Sequence, residues 1–134
     1  MTKRSKNSML IAVAVIGLGI LGVTLLPMLA SSQTDDVHEI RLVVRAMNFY
    51  VEGESQPNPT LNVRAGEKVR LVLKNEDPGM QHDFVVEAWD VATKILEDRG
   101  QQDSITFKAP SIPGDQVYHC TPHAQLMRGT IRVQ

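Results

Sequence analysis

The stretch "YHCTPHAQLMRG" holds the only cysteine of the 134-residue chain, Cys120, with His123 three residues on, Met127 four beyond that and His119 just before. A thiolate, an imidazole and a thioether share an affinity for a soft, redox-active metal ion. One cysteine and two histidines in a trigonal plane, with a weakly held methionine on the axis, make the ligand set of a type 1 copper site. Three of those four ligands already stand within eight residues, Cys120 to Met127. The second histidine must come from elsewhere, and His82, just after the turn residues "DPGMQ", is the natural candidate. Each residue alone has a blander reading: a buried cysteine is often a small hydrophobe, and Met127 beside Leu126 could simply pack. Their joint spacing carries the metal reading. Met80 reads as a rim residue, His38 as solvent-exposed, and Trp89 as a packing residue.

The elements that must position these side chains read as strands. "EIRLVVRAMNFY" (39–50) alternates apolar residues at Ile40, Leu42, Val44 and Ala46, and "GEKVRLVLKNED" (66–77) does so at Val69, Leu71 and Leu73. A short Leu61/Val63 strand follows the turn-rich "VEGESQPNPT", and "NEDPG" breaks the chain before "HDFVVEAW" (82–89). "DSITFKAP", "DQVYHC" and "GTIRVQ" complete seven or eight strands, while "DVATKILEDRG" (90–100) fits a helical turn or a strand equally. Short strands with frequent turns predict an antiparallel sandwich. Cys120 then ends one strand and Met127 precedes the next, the loop "TPHAQL", stiffened by Pro122, turning His123 back to the same ion. A ligand set divided between sheet ends lets the sandwich fix the geometry. Neighbours on a strand face opposite ways, so His119 should point away from Cys120.

The beginning of the chain has another character. Lys3, Arg4 and Lys6 precede an almost wholly apolar run from Met9 to Ala30, and no charged residue follows until Asp35. A cleaved signal peptide has an apolar region of about 7–15 residues, and "LASS" offers a small-residue site through Ala30 and Ser32. The run is longer than that: at about 1.5 Å per helical residue it reaches roughly 33 Å, enough to cross a hydrocarbon core of about 30 Å. The sequence thus predicts one transmembrane helix as an uncleaved anchor (1–30), a polar linker (31–37) and a domain over 38–134, with a secreted periplasmic form as the alternative should the segment be cleaved. The basic flank remains in the cytoplasm and the domain lies on the extracytoplasmic side of the cell membrane. Setting Lys3, Arg4 and Lys6 aside leaves 11 basic residues against 15 acidic, and nothing in that balance points to nucleic acid. A lone exported cysteine makes no internal disulfide, which leaves a free thiol, an intermolecular link or a ligand.

Over roughly residues 40–134 the chain resembles the cupredoxins, the blue copper family of plastocyanin, pseudoazurin, amicyanin and azurin, most clearly in "AGEKVRLVLKNED", "HDFVV" and "YHCTPHAQLMRGTIRV". Cys120-x2-His123 is similar to plastocyanin and amicyanin, and His123-x3-Met127-x-Gly129 to azurin. The resemblance implies an all-β Greek-key sandwich and a single type 1 copper per chain held by His82, Cys120, His123 and Met127. Many members carry Asn directly after the first histidine, where this chain has Asp83. That Asn bonds to the residue after the cysteine in the family, so the resemblance implies an Asp83–Thr121 bridge here.

These readings converge on a membrane-tethered carrier of single electrons, not an enzyme, working between a redox donor and acceptor such as a cytochrome or a membrane respiratory or photosynthetic complex. A copper-binding or copper-delivery protein is the alternative of a different class, though the chain has neither a methionine-rich tract nor Cys-x-x-Cys. A copper nitrite reductase-like enzyme is the other. "YHC" resembles those enzymes, yet their second histidine, five residues after the first ligand, is Glu87 here, so the catalytic set is incomplete.

Overall fold

Residues 36–134 are described by the structure, a computed structural model. The Met9–Ala30 run and most of the linker lie outside the described residues.

Alternation of apolar residues produces two sheets. β1 (His38–Arg45), β2 (Asn48–Val51), β4 (Lys68–Asn75) and β7 (Gln102–Lys108) form one, in the order β2-β1-β4-β7; β3 (Leu61–Val63), β5 (Val85–Val86), β6 (Val91–Ala92), β8 (Gly114–His119) and β9 (Arg128–Val133) form the other, in the order β3-β9-β8-β5-β6. Ile40, Leu42, Val44, Val69, Leu71 and Leu73 of the first sheet meet Leu61, Val63, Val86, Tyr118, Ile131 and Val133 of the second in one buried cluster. Each such side chain contributes about 1.5–3 kcal/mol on leaving water. Phe49, Phe84 and Tyr118 fill the middle, with Phe84 stacked on Tyr118 at 5.1 Å between centroids and Phe49 edge-on to both.

Three expectations need correction. The described residues contain nine strands, not seven or eight. The stretch 39–50 is not one strand but a hairpin, because Ala46 and Met47 both adopt left-handed φ values of 47° and 61° and reverse the chain. Ala46 therefore leaves the core alternation and is exposed. The sheets are also mixed: β1 runs parallel to β4 and β3 parallel to β9, while the other strand pairs are antiparallel. Crossing between sheets puts parallel neighbours side by side, which strand patterning alone does not reveal. In the ambiguous 90–100 segment the strand wins: Val86 pairs with Val91, and Leu96 bridges to His82.

Candidate metal centre

His82 owes its place to the segment that follows β4. Asn75, wholly buried at the end of that strand, donates through Nδ2 to the Met80 carbonyl at 2.7 Å and accepts the Asp77 N–H at Oδ1, 2.9 Å. Those bonds shape the turn "EDPG", where Gly79 has φ +66° and its N–H donates to Asp98 Oδ1 at 2.7 Å. His82 then exchanges two backbone bonds with Leu96, at 3.0 and 2.7 Å. Its side chain is fully buried.

The other donors come from the β8–β9 connection. Cys120 follows β8 and donates its N–H to the Met127 carbonyl at 3.0 Å, closing the loop at its neck. Inside it, Thr121–His123 form a 3-10 turn with Pro122 in its first positions; the His123 N–H donates to the Cys120 carbonyl at 3.1 Å and the Met127 N–H to the His123 carbonyl at 2.9 Å. Cys120 and Met127 are fully buried, and His123 is half-buried.

Cys120 Sγ lies 3.7 Å from His82 Nδ1 and 3.6 Å from His123 Nδ1, and the three ligand atoms all fall within 4.8 Å of one another. Donors about 2.0 Å (nitrogen) and 2.3 Å (thiolate) from one ion, arranged trigonally, stand roughly 3.8 Å apart, so the spacing fits a metal. Burial pushes the Cys120 thiol up to about 11, while the Asp83 and His123 N–H groups pull it down. A metal entering here therefore displaces the thiol proton. Burial also lowers the pKa of His82, against the pull of Asp77, which favours the neutral imidazole a metal requires.

The surroundings hold these donors in place. Asp83 accepts the Thr121 N–H at 2.6 Å, so the bridge between the two halves of the site forms through the backbone of Thr121. Asp77, unremarked in the sequence except as part of a turn, sits with Oδ2 3.2 Å from His82 Nε2. The angle falls short of a good hydrogen bond, and among the described residues that buried nitrogen has no other partner. Burial alone would raise the Asp77 carboxyl, but the Met47 and Ala46 N–H groups and the His82 ring outweigh it and hold it below its ordinary value. His119 faces Glu87 at 3.6 Å, away from the three donors. Met80 is half-buried, Trp89 packs against Phe107 at 6.0 Å, and His38 is exposed beside Glu67 at 2.7 Å.

Comparison with known proteins agrees in fold and chemistry. Auracyanin A, a "blue" copper protein from the green thermophilic photosynthetic bacterium Chloroflexus aurantiacus, superposes with a TM-score of 0.58 at 20% identity, covering 73% of this chain and 99% of that one. Dithionite-reduced auracyanin from the photosynthetic bacterium Roseiflexus castenholzii gives 0.58 at 22% identity (72% and 96%), and auracyanin B 0.57 at 24% (72% and 88%). No curated protein matches the sequence. Residues 56–134, which take in β3 to β9 and all four candidate ligands, match the copper binding proteins of the plastocyanin/azurin family. Cupredoxin architecture and a type 1 arrangement of His82, Cys120, His123 and Met127 thus meet in one domain, and the chain belongs to the plastocyanin/azurin family of copper-binding proteins.

Proposed function

We propose that the protein carries single electrons outside the cytoplasm, tethered to the cell membrane by Met9–Ala30, with His82, Cys120, His123 and Met127 as the ligands of one type 1 copper. The observation that carries this reading is the buried Cys120 thiol between two imidazoles in a frame of backbone hydrogen bonds. Bound there, copper supplies the Cu(II)/Cu(I) couple. The protein supplies rigidity: His82 is tied to Leu96, the Cys120–Met127 loop is closed at its neck, and Asp83 joins the halves, so the donors keep their places in either oxidation state. Full burial of His82, Cys120 and Met127 excludes water.

His123, the one half-buried ligand, is the electron port. Pro122, Ala124 and Leu126, all exposed, surround it with apolar surface suited to brief docking. The linker, at most about 25 Å long at roughly 3.5 Å per residue, restricts the carrier to donors and acceptors at the same membrane face, such as a cytochrome or a membrane redox complex. Buried donors argue against copper delivery, which needs exchangeable ligands. His119 turned to Glu87 argues against a second, catalytic copper of the nitrite reductase kind.

The test is the purified, copper-loaded protein. One copper per chain, intense visible absorption from thiolate-to-copper charge transfer that disappears in Cys120→Ser, and reversible reduction are expected, with the full chain retained on membranes after an alkaline wash. A colourless protein that surrenders Cu(I) readily to a chelator would support delivery instead, and two coppers per chain would support the enzyme.

A further inference from the structure

We propose that Asp77 is a positioning residue for the metal centre, its carboxylate accepting the Nε2–H of His82 and thereby favouring the more highly charged oxidation state. The inference rests on the reading of His82 as a copper ligand. His82 turns Nδ1 toward Cys120, so a metal bound there leaves the ring proton on Nε2. That nitrogen lies in a side chain with no exposure, where no water reaches it. A buried N–H without an acceptor costs about 1–3 kcal/mol, and Asp77 Oδ2, 3.2 Å away, is the group in position to prevent that cost.

The carboxylate is itself held from behind. Asp77 Oδ1 accepts the Ala46 N–H at 2.7 Å, Oδ2 accepts the Met47 N–H at 3.1 Å, and the Asp77 N–H is anchored on Asn75. Ala46 and Met47 are the two left-handed residues of the β1–β2 turn, a conformation that non-glycine residues adopt at a cost of about 1 kcal/mol each. Their successive N–H groups form a cradle for an anion, and the carboxylate in turn secures the turn. The hairpin of one sheet thus braces a ligand carried by the segment that leads into β5 of the other. A small straightening of the Nε2–H···Oδ2 angle on metal binding is all the geometry requires.

A carboxylate acceptor differs from a neutral one. It makes the imidazole a stronger donor and sets a negative charge one hydrogen bond from the ligand, and both effects stabilise Cu(II) over Cu(I).

Asp77→Asn keeps the shape and one carbonyl acceptor while removing the charge. The expected result is a shift of the Cu(II)/Cu(I) equilibrium toward Cu(I) of about tenfold, read as a rise in potential of about 59 mV for one electron, with the visible band retained. Asp98→Asn is the control, since Asp98 accepts the Gly79 N–H of the same turn but touches no ligand; it should shift the equilibrium less than about threefold. Equal shifts in the two variants, or none in Asp77→Asn, would overturn the proposal. Should Asp77→Asn fail to fold, the wild-type full chain decides by NMR in the Cu(I) state. A slowly exchanging His82 Nε2–H supports the proposal, and one that exchanges like a solvent-exposed imidazole overturns it. A wild type lacking the thiolate–copper band would sink the electron-carrier reading and this one together, whereas a blue wild type with an unmoved Asp77→Asn would sink this one alone.

Discussion

Gly129→Ala adds a single methyl group and should be among the most damaging small changes available in this fold. Gly129 sits directly opposite Tyr118 in the β8–β9 ladder, and a Cβ there would lie 2.7 Å from Tyr118 Cε1 and closer still to Cζ and Oη. The ring cannot step aside cheaply. It stacks on Phe84, meets Phe49 edge-on, and its hydroxyl donates to the Pro59 carbonyl at 2.6 Å in a buried setting. Overpacking costs about 1–3 kcal/mol and loss of the buried hydrogen bond about 1–3 more, while replacing glycine in a strand returns about 0.5–1. A net loss near 3 kcal/mol follows, which for a domain of this size lowers Tm by about 12 °C or more. The comparison variant is Gly53→Ala, where φ is +85° but nothing stands within 4 Å, so only backbone strain of about 1 kcal/mol applies. Urea unfolding of the metal-free protein measures both. If Gly129→Ala cost no more than Gly53→Ala, the tight seat of Tyr118 would be wrong.

Met127→Leu should keep the visible band yet shift the copper equilibrium toward Cu(I) by about tenfold, because an apolar side chain of similar size preserves the buried packing and removes a donor from Cu(II). Potentiometry that found no change would reduce Met127 to a packing role and turn attention to Met80. Acid should weaken the metal-free protein in two stages. The folded-state pKa values of His82 and Asp77 both lie below the ordinary ones, so the unfolded chain binds the extra protons. The share of stability that these two groups carry is therefore complete above the ordinary histidine value of 6.5, falls as the pH drops below it, and falls again below the ordinary carboxyl value of 3.8. Urea midpoints that stay level or rise from pH 7.5 to 5 would contradict this.

What could be read in the residues depended on whether the cause was local. The Cys120, His123 and Met127 constellation is written in one loop, and the core strands announce themselves by alternation at Ile40, Leu42 and Val44 and again at Val69, Leu71 and Leu73. Gly129 was visible as part of a spacing, but its purpose depends on Tyr118 in the opposite strand. Asp77 carried only the signal of a turn residue, since its partners Ala46 and Met47 are some thirty positions away. The hairpin break at Ala46–Met47 leaves no local mark in the residues, because neither type favours a left-handed backbone; the turn is held by contacts made elsewhere. Parallel pairing of β1 with β4 is likewise a property of chain crossing, which periodicity does not encode.

The uneven distribution of the ligands along the chain bears on how the metal and the polypeptide come together. Cys120 and His123 are three positions apart, whereas Cys120 and His82 are separated by 38. On a disordered chain, closing the longer loop costs about 2 kcal/mol more entropy than closing the shorter. Cys120, His123 and Met127 can accordingly gather an ion before the sheets exist, with His82 arriving last, as the sandwich closes. Metal caught by the unfolded chain subtracts from the stability that copper confers on the native one, so the gain in unfolding midpoint on loading will be smaller than the affinity of the finished site implies. A newly made chain that met copper early would carry a partly assembled centre into folding, and completion of that centre would coincide with the docking of the segment that bears His82.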